Sequence, residues 1–177
     1  IMRINVELFT EGWYGPALGD GECALTMQQL MHGTGMVTSF PFLLMGLPQV
    51  VMPKFDATAA LDAIRRHQVT STFGVPGMLT RLADAVDADP GELPLRRTLY
   101  GGAPLALDEL RRVRGILGDS LVQLYGRFEA GWPLAVLGQD EHTAILDGDD
   151  ELAASCGRFV PQIETRFGEA PGTADGH

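Results

Sequence analysis

Between Cys23 and Tyr125, short apolar runs alternate with stretches whose apolar residues recur every three to four positions. That alternation leaves few folds open. Residues 23–28 (CALTMQ) predict a strand, and residues 33–46 predict a buried helix kinked at Pro41. A second strand follows at 49–52 (QVVM). Asp56 then reads as an N-cap for a helix with Ala57, Ala60, Leu61 and Ile64 on one face. Arg65, Arg66 and His67 close it, where cations favour the helix dipole. Residues 69–75 (VTSTFGV) form a β-branched strand, and Pro76 starts a helix striped by Leu79, Leu82 and Val86 that ends at Asp89-Pro90-Gly91. A strand at 96–100 precedes a helix from Leu105 to Leu117 with Leu107, Leu110, Val113 and Leu117 inward, and 120–125 (SLVQLY) completes the series.

Strand and helix alternating at this spacing predict right-handed βαβ units. The expected fold class is α/β, a doubly wound and mostly parallel sheet with helices on both faces. Residues 133–137 and 157–167 are candidate extra strands near the C-terminus, and the acidic stretch 147–151 between them reads as a solvated loop. The expected organisation is a lead-in segment over 1–22, one α/β domain over 23–167, and a frayed Gly/Ala/Pro-rich tail over 168–177.

At 177 residues and 45% hydrophobic content the chain fits one globular domain. Its formal net charge of −10 repels nucleic acid and anionic membranes, and no compact basic block offsets it. The apolar stretch 36–52 is broken by Pro41, Gly46 and Pro48, so no membrane span is expected. Cys23 and Cys156 are far apart, and the four histidines lack ligand spacing, which argues against structural zinc and suits a cytoplasmic protein.

In such sheets ligands bind beyond the carboxyl ends of the strands. Three predicted strand ends carry small-residue loops: Gly74-Val75-Pro76, Gly101-Gly102-Ala103-Pro104 and Tyr125-Gly126. Each alone is ordinary turn chemistry. Three on one edge predict a site, because glycine admits a ligand close to the backbone and helix N-termini favour anions.

The series His32-Gly33-Thr34-Gly35, Val75-Pro76-Gly77-Met78-Leu79, Tyr100-Gly101-Gly102-Ala103-Pro104-Leu105 and Tyr125-Gly126-Arg127-Phe128-Glu129-Ala130-Gly131 resembles the adenylate-forming acyl- and aryl-CoA synthetase superfamily. Val51-Met52-Pro53-Lys54-Phe55-Asp56 and Cys156-Gly157-Arg158-Phe159-Val160-Pro161 are similar to two further segments of that family, in the same order. The resemblance covers residues 20 to 166, the central part of the family's N-terminal domain. It implies a ligase that joins a small carboxylic acid to AMP from ATP and passes it to CoA or a carrier-protein thiol. It also implies that Gly101, Gly102, Ala103, Pro104, Tyr125 and Gly126 hold the adenine side of the nucleotide. Glu129 matches the glutamate that holds Mg2+ near the phosphates, and His32 lies beside the acyl pocket. Gly33, Met36, Gly74, Val75 and Tyr100 match positions that line that pocket. Other readings stay open: Glu129 as an exposed helix-start carboxylate, His32 as a hydrogen-bonded core histidine, Tyr125 as core.

Phe128 stands where the family has a threonine whose hydroxyl meets phosphate, and Arg127 beside it offers a guanidinium instead. A phosphate loop, a ribose-binding aspartate and a C-terminal domain with its lysine have no counterpart in the 177 residues. A competing expectation is therefore a catalytically silent, truncated homologue that binds AMP or an acyl group, or completes a partner chain. A weaker one is a dinucleotide oxidoreductase, from Gly33-Thr34-Gly35 and Asp56, with the third glycine missing.

Overall fold

A computed structural model describes residues 2–130 and 132–164. Helix α1 (Met2–Thr10) comes first, followed by β1 (Ala24–Thr26), α2 (Gly33–Leu44), β2 (Gln49–Val51), α3 (Ala57–Arg66) and β3 (Ser71–Gly74). Next come α4 (Pro76–Ala88), β4 (Arg97–Gly101), α5 (Leu107–Leu117) and β5 (Leu121–Tyr125). A single 3-10 turn, Phe128–Ala130, leads to β6 (Ala135–Leu137), α6 (Gln139–Leu146), α7 (Asp150–Ala153) and β7 (Arg158–Phe159).

The seven strands among the described residues form one sheet in the order β2-β1-β3-β4-β5-β6-β7. The first five are parallel, and β6 and β7 add on antiparallel. The chain moves outward from β1 to β2 through α2, then returns past β1 to build β3, β4 and β5. Side chains of α3, α4 and α5, including Leu61, Ile64, Leu79, Leu82 and Val113, share one core with Leu25, Tyr100 and Leu121. On the opposite face Leu8 and Phe9 of α1 and Val37 and Phe42 of α2 pack with Phe73, Leu99, Val122 and Val136. Alternate strand residues thus face two separate cores. The sheet is doubly wound, and its direction reverses between β1 and β3.

Local signals set most boundaries. The Asp56 carboxylate accepts from the Ala59 amide, and Pro76 occupies the first turn of α4. Helix α4 stops at Asp89, whose carbonyl accepts from the Arg65 guanidinium at 2.6 Å. Four details differ from the sequence reading. Leu107, assigned to the buried face of α5, is 38% exposed because it begins the helix before the stripe reaches the sheet. The acidic stretch is not simply a loop: Asp149 caps the short helix α7 by accepting from Leu152 N. Among the described residues the 157–167 segment pairs only over Arg158–Phe159, and Pro161 lacks the donor to continue the ladder. Residues 1–22, read as a lead-in, contain α1, and Leu8, Phe9 and Tyr14 are fully buried. The frayed tail proposed for 168–177 lies outside the described residues.

Candidate functional site

The register places the carboxyl ends of the parallel strands side by side. Thr26 pairs with Phe73, Gly74 with Tyr100, and Gly101 with Leu124. The loops after β1, β3, β4 and β5 consequently open on one rim, at the place where the winding reverses. Strand β6 begins at the same rim because Ala135 lies opposite Tyr125, and Leu134 N donates to Tyr125 O at 2.8 Å.

Two hollows occupy this rim. The larger, about 410 Å3, is lined by Met31, His32, Gly33, Thr34, Val75, Gly102, Gly126, Arg127 and Trp132. Its volume falls within the range of about 300–1,000 Å3 common to small-ligand pockets. Beside it, a slot of about 190 Å3 runs between the Gly102-Ala103-Pro104 loop and Gln123, Leu124, Tyr125 and Gly126. Gly102 and Gly126 border both, so the slot and the pocket adjoin. Gly102 has φ +85°, a left-handed conformation that L side chains seldom adopt. Gly101 is held beneath it: a Cβ there would stand 2.5 Å from the Leu124 carbonyl oxygen.

His32 ends the loop after β1 as the N-cap of α2, its Nδ1 accepting from the Thr34 amide at 3.3 Å. The Thr34 hydroxyl lies 2.8 Å from the same nitrogen. An accepting Nδ1 leaves the proton of the neutral ring on Nε2. His32 is exposed at the pocket, so the core reading of this residue does not hold. Tyr125 is not core either: it is half exposed and forms a wall of the slot. Glu129 sits exposed in the 3-10 turn just beyond Arg127. No cluster of three or more His, Cys, Asp or Glu residues suited to a metal occurs among the described residues. A single carboxylate matches the Mg2+ arrangement in which substrate phosphates and water complete the shell.

Not every predicted pocket residue reaches this rim in the same way. Gly33 and Val75 line the large hollow, whereas Met36 and Gly74 do not. Gly74 is buried against Leu79, where a Cβ would stand 2.8 Å from Leu79 Cδ2. Tyr100 turns to the opposite face of the sheet, because Leu99 and Gly101 on either side of it face the Trp132 side. Its hydroxyl donates to His142 Nε2 at 2.9 Å, and His142 Nδ1 donates to the Gly138 carbonyl at 2.5 Å. Burial holds the His142 pKa below its ordinary 6.5 and pushes Tyr100 up. As pH falls through 6.5 the unfolded chain takes up this proton before the folded one does. The contribution of neutral His142 is therefore full above pH 6.5 and declines below it. Urea unfolding should show a lower midpoint at pH 5.5 than at pH 7.5, and replacing His142 with glutamine should flatten that difference.

Trp132 is the residue that sequence reasoning passed over. Its indole lies on the same sheet face as Phe73, edge-on with ring centroids 5.5 Å apart. Its carbonyl accepts from Asn5 Nδ2 at 3.0 Å, and Asn5 Oδ1 accepts from the Tyr14 hydroxyl at 2.9 Å. The signal was an aromatic wedged between Gly131 and Pro133 just after the glutamate.

Comparison with known proteins decides the family. The profile of the AMP-binding enzyme family matches residues 5–172. The chain belongs to that family. Among AMP-binding relatives, 2-succinylbenzoate–CoA ligase of Bacillus licheniformis is 39% identical over 61% of this chain and 22% of its own length. Feruloyl-CoA synthase of an Amycolatopsis species is 35% identical over 83% of this chain and 32% of its own length. The solved amide bond synthetase McbA of Marinactinospora thermotolerans superposes with a TM-score of 0.72 at 28% identity, covering 92% of this chain and 30% of that one. The chain spans about a fifth to a third of the length of the AMP-binding relatives it matches. No helix among the described residues is long and apolar enough to cross a membrane, and both cysteines are free thiols.

Proposed function

We propose that this chain is the acid- and nucleotide-binding core of a carboxylate ligase that works through an acyl-adenylate. One observation carries the reading: a slot and a pocket meet at Gly102 and Gly126, on the rim where the sheet reverses. The slot suits a flat base, with Ala103 and Pro104 on one side and Tyr125 on the other. The pocket suits an acyl group, and Arg127 adds a positive charge at its mouth.

In the proposed reaction a carboxylate oxygen attacks the α-phosphorus of ATP, and the bond to the bridging oxygen of pyrophosphate breaks. The sulfur of CoA or of a carrier-protein thiol then attacks the acyl carbon, loses its proton, and expels AMP. Negative charge gathers between pocket and slot during the first step, where a guanidinium and backbone N–H groups offset it. Glu129 would hold Mg2+, which supplies charge neutralisation at the phosphates. His32, at the pocket, would stand on the acyl side. The phosphate loop, ribose aspartate and catalytic lysine are assigned to the remainder of the enzyme or to a complementary chain. We place the protein in the cytoplasm, where free thiols persist.

Pyrophosphate exchange by the full-length protein with a panel of carboxylic acids tests this reading. Acid-dependent exchange is the expected result, and exchange with no acid in the panel would overturn it. Calorimetric binding of AMP without exchange would instead support a silent binding module. Replacing Glu129 with glutamine keeps the shape and removes the charge. Exchange at limiting magnesium should then fall on the order of 10²-fold and recover in part as magnesium is raised.

A further inference from the structure

Every arginine among the described residues but three pairs with a carboxylate. Arg81, the first exception, lies over the Phe55 ring at 4.8 Å, and its Nε donates to the Gly77 carbonyl. Arg66, the second, sits in the last turn of α3, where the helix dipole favours a cation. Arg127 is the third, and its side chain has no ion pair, hydrogen bond or ring contact with another described residue. Carboxylates are not scarce, since the chain carries 23 Asp and Glu against 13 Lys and Arg. A guanidinium left unpaired in so acidic a protein is available to an anion from outside the chain.

Arg127 is also exposed where a ligand would arrive. It borders the 410 Å3 pocket but not the adjoining slot, which places it on the acyl side of the rim. Among the described residues no Asp or Glu lines either hollow. Met31, Val75 and Trp132 give the pocket apolar surface, and Arg127 supplies its permanent charge. The backbone that carries this side chain is held. The Ala130 amide donates to the Arg127 carbonyl at 3.2 Å, and the strands on either side are joined by the β5–β6 ladder.

The reaction itself limits which anion can serve. The carboxylate that attacks phosphorus gives up its charge, because in the acyl-adenylate its oxygen is bonded to phosphorus. An arginine paired with that group would stabilise the acid before reaction and lose its partner afterwards, which raises the barrier. A second carboxylate takes no part in bond making and keeps its pair with the guanidinium through both half-reactions. It occupies two of the five guanidinium N–H groups, so the others stay available to the charge that gathers between pocket and slot.

We infer that Arg127 selects the acid substrate by pairing with a second carboxylate, so that the preferred acids are dicarboxylic and their singly charged counterparts are poor substrates. This rests on the ligase reading above and narrows it to a substrate class.

The test compares dicarboxylic acids with their half-amides, which match them in size and lack the second charge. Benzenedicarboxylic acids and straight-chain diacids together cover different separations of the two groups. In pyrophosphate exchange by the full-length protein, at least one diacid should exceed its half-amide in kcat/KM by about 10- to 100-fold. Raising ionic strength should raise KM for that diacid more than for its half-amide. Arg127→Leu should bring the ratio close to one, and Arg127→Lys should keep part of it. Arg127→Glu should favour an acid that carries an ammonium in place of the second carboxylate. Half-amides that match or exceed every diacid, with exchange from other acids present, would overturn the inference and leave the ligase reading intact. So would an Arg127→Leu variant that raises KM for ATP and slows all acids equally, since the guanidinium would then act on the phosphates. No exchange from any acid would overturn both.

Discussion

Replacing Arg97 with methionine should destabilise the fold by about 3–5 kcal/mol, the usual consequence of removing one partner from a buried ion pair. Arg97 is fully buried at the start of β4, at the opposite end of the sheet from the site. Its Nη1 donates to Glu22 at 2.8 Å and to the Ser71 hydroxyl at 2.9 Å, and its Nε donates to the Pro16 carbonyl at 2.9 Å. Thr70 also donates to Glu22, and Arg96 reaches it at 3.1 Å from the surface. Methionine fills comparable volume but leaves the Glu22 carboxylate buried with only an exposed guanidinium and a hydroxyl. For a chain of this size each kcal/mol corresponds to roughly 2–4 °C, so the melting temperature should drop by about 6–20 °C. The same cluster sets an acid dependence. Burial raises the Glu22 pKa, but the bonds from Arg97 and Thr70 and the charges of Arg97 and Arg96 outweigh it and hold the carboxyl low. A group depressed in the folded state contributes its stability above the ordinary value of 4.5, and loses it as pH falls through the folded value. Arg97→Met should therefore unfold at lower denaturant at neutral pH, yet lose less on acidification than the parent protein.

The second large effect is expected at the rim. In Gly101→Ala the new methyl group would stand 2.5 Å from the Leu124 carbonyl oxygen and 3.0 Å from Trp132 Cζ2. The first of these is backbone, in the strand that pairs with Gly101 itself, so β4 and β5 must separate where slot and pocket meet. Overpacking of this kind costs about 1–3 kcal/mol. The functional loss should be larger in proportion. A displacement on the order of 1 Å in groups that align two reactants lowers rate by about 10²-fold, and pyrophosphate exchange should fall accordingly. Gly77→Ala is the control. Nothing lies within 4 Å of that position in the first turn of α4, and alanine there should be neutral or stabilising by up to about 1 kcal/mol. Equal losses from both variants would show that the rim geometry is not what matters.

The core of the fold was readable because its signals are local. Asp56 caps α3 and Pro76 opens α4, and the buried stripe of Leu79, Leu82 and Val86 needs only helical spacing to be recognised. The parallel order then follows from βαβ connectivity. The parts that escaped depend on partners distant in sequence. Helix α1 has a modest apolar pattern of its own, and what recruits it is a surface made by Phe42, Leu99 and Val136. Helix α6 has few apolar residues and is fixed by the bond from its buried His142 to Tyr100. At the site, the glycine loops identified the rim, because glycine after a strand is a local signal that repeats. Which face Tyr100 takes is decided by strand register, one residue of which exchanges the two cores. Trp132 belongs to the site through a chain reversal and through Asn5, 127 residues away. No local pattern encodes that.

The antiparallel return from β5 to β6 has a consequence for how such a site can change. Gln123 pairs with Leu137, Leu124 with Val136 and Tyr125 with Ala135, so the connection between them leaves and re-enters the sheet at adjacent points. Its ends are clamped by the ladder, and it contributes Gly126, Arg127 and Trp132 to the pocket. The stretch 126–134 is thus a replaceable cassette. Grafting the equivalent span from a relative would exchange much of the pocket wall in one step and leave the strand order as it is, with the core position of Trp132 refilled by the graft.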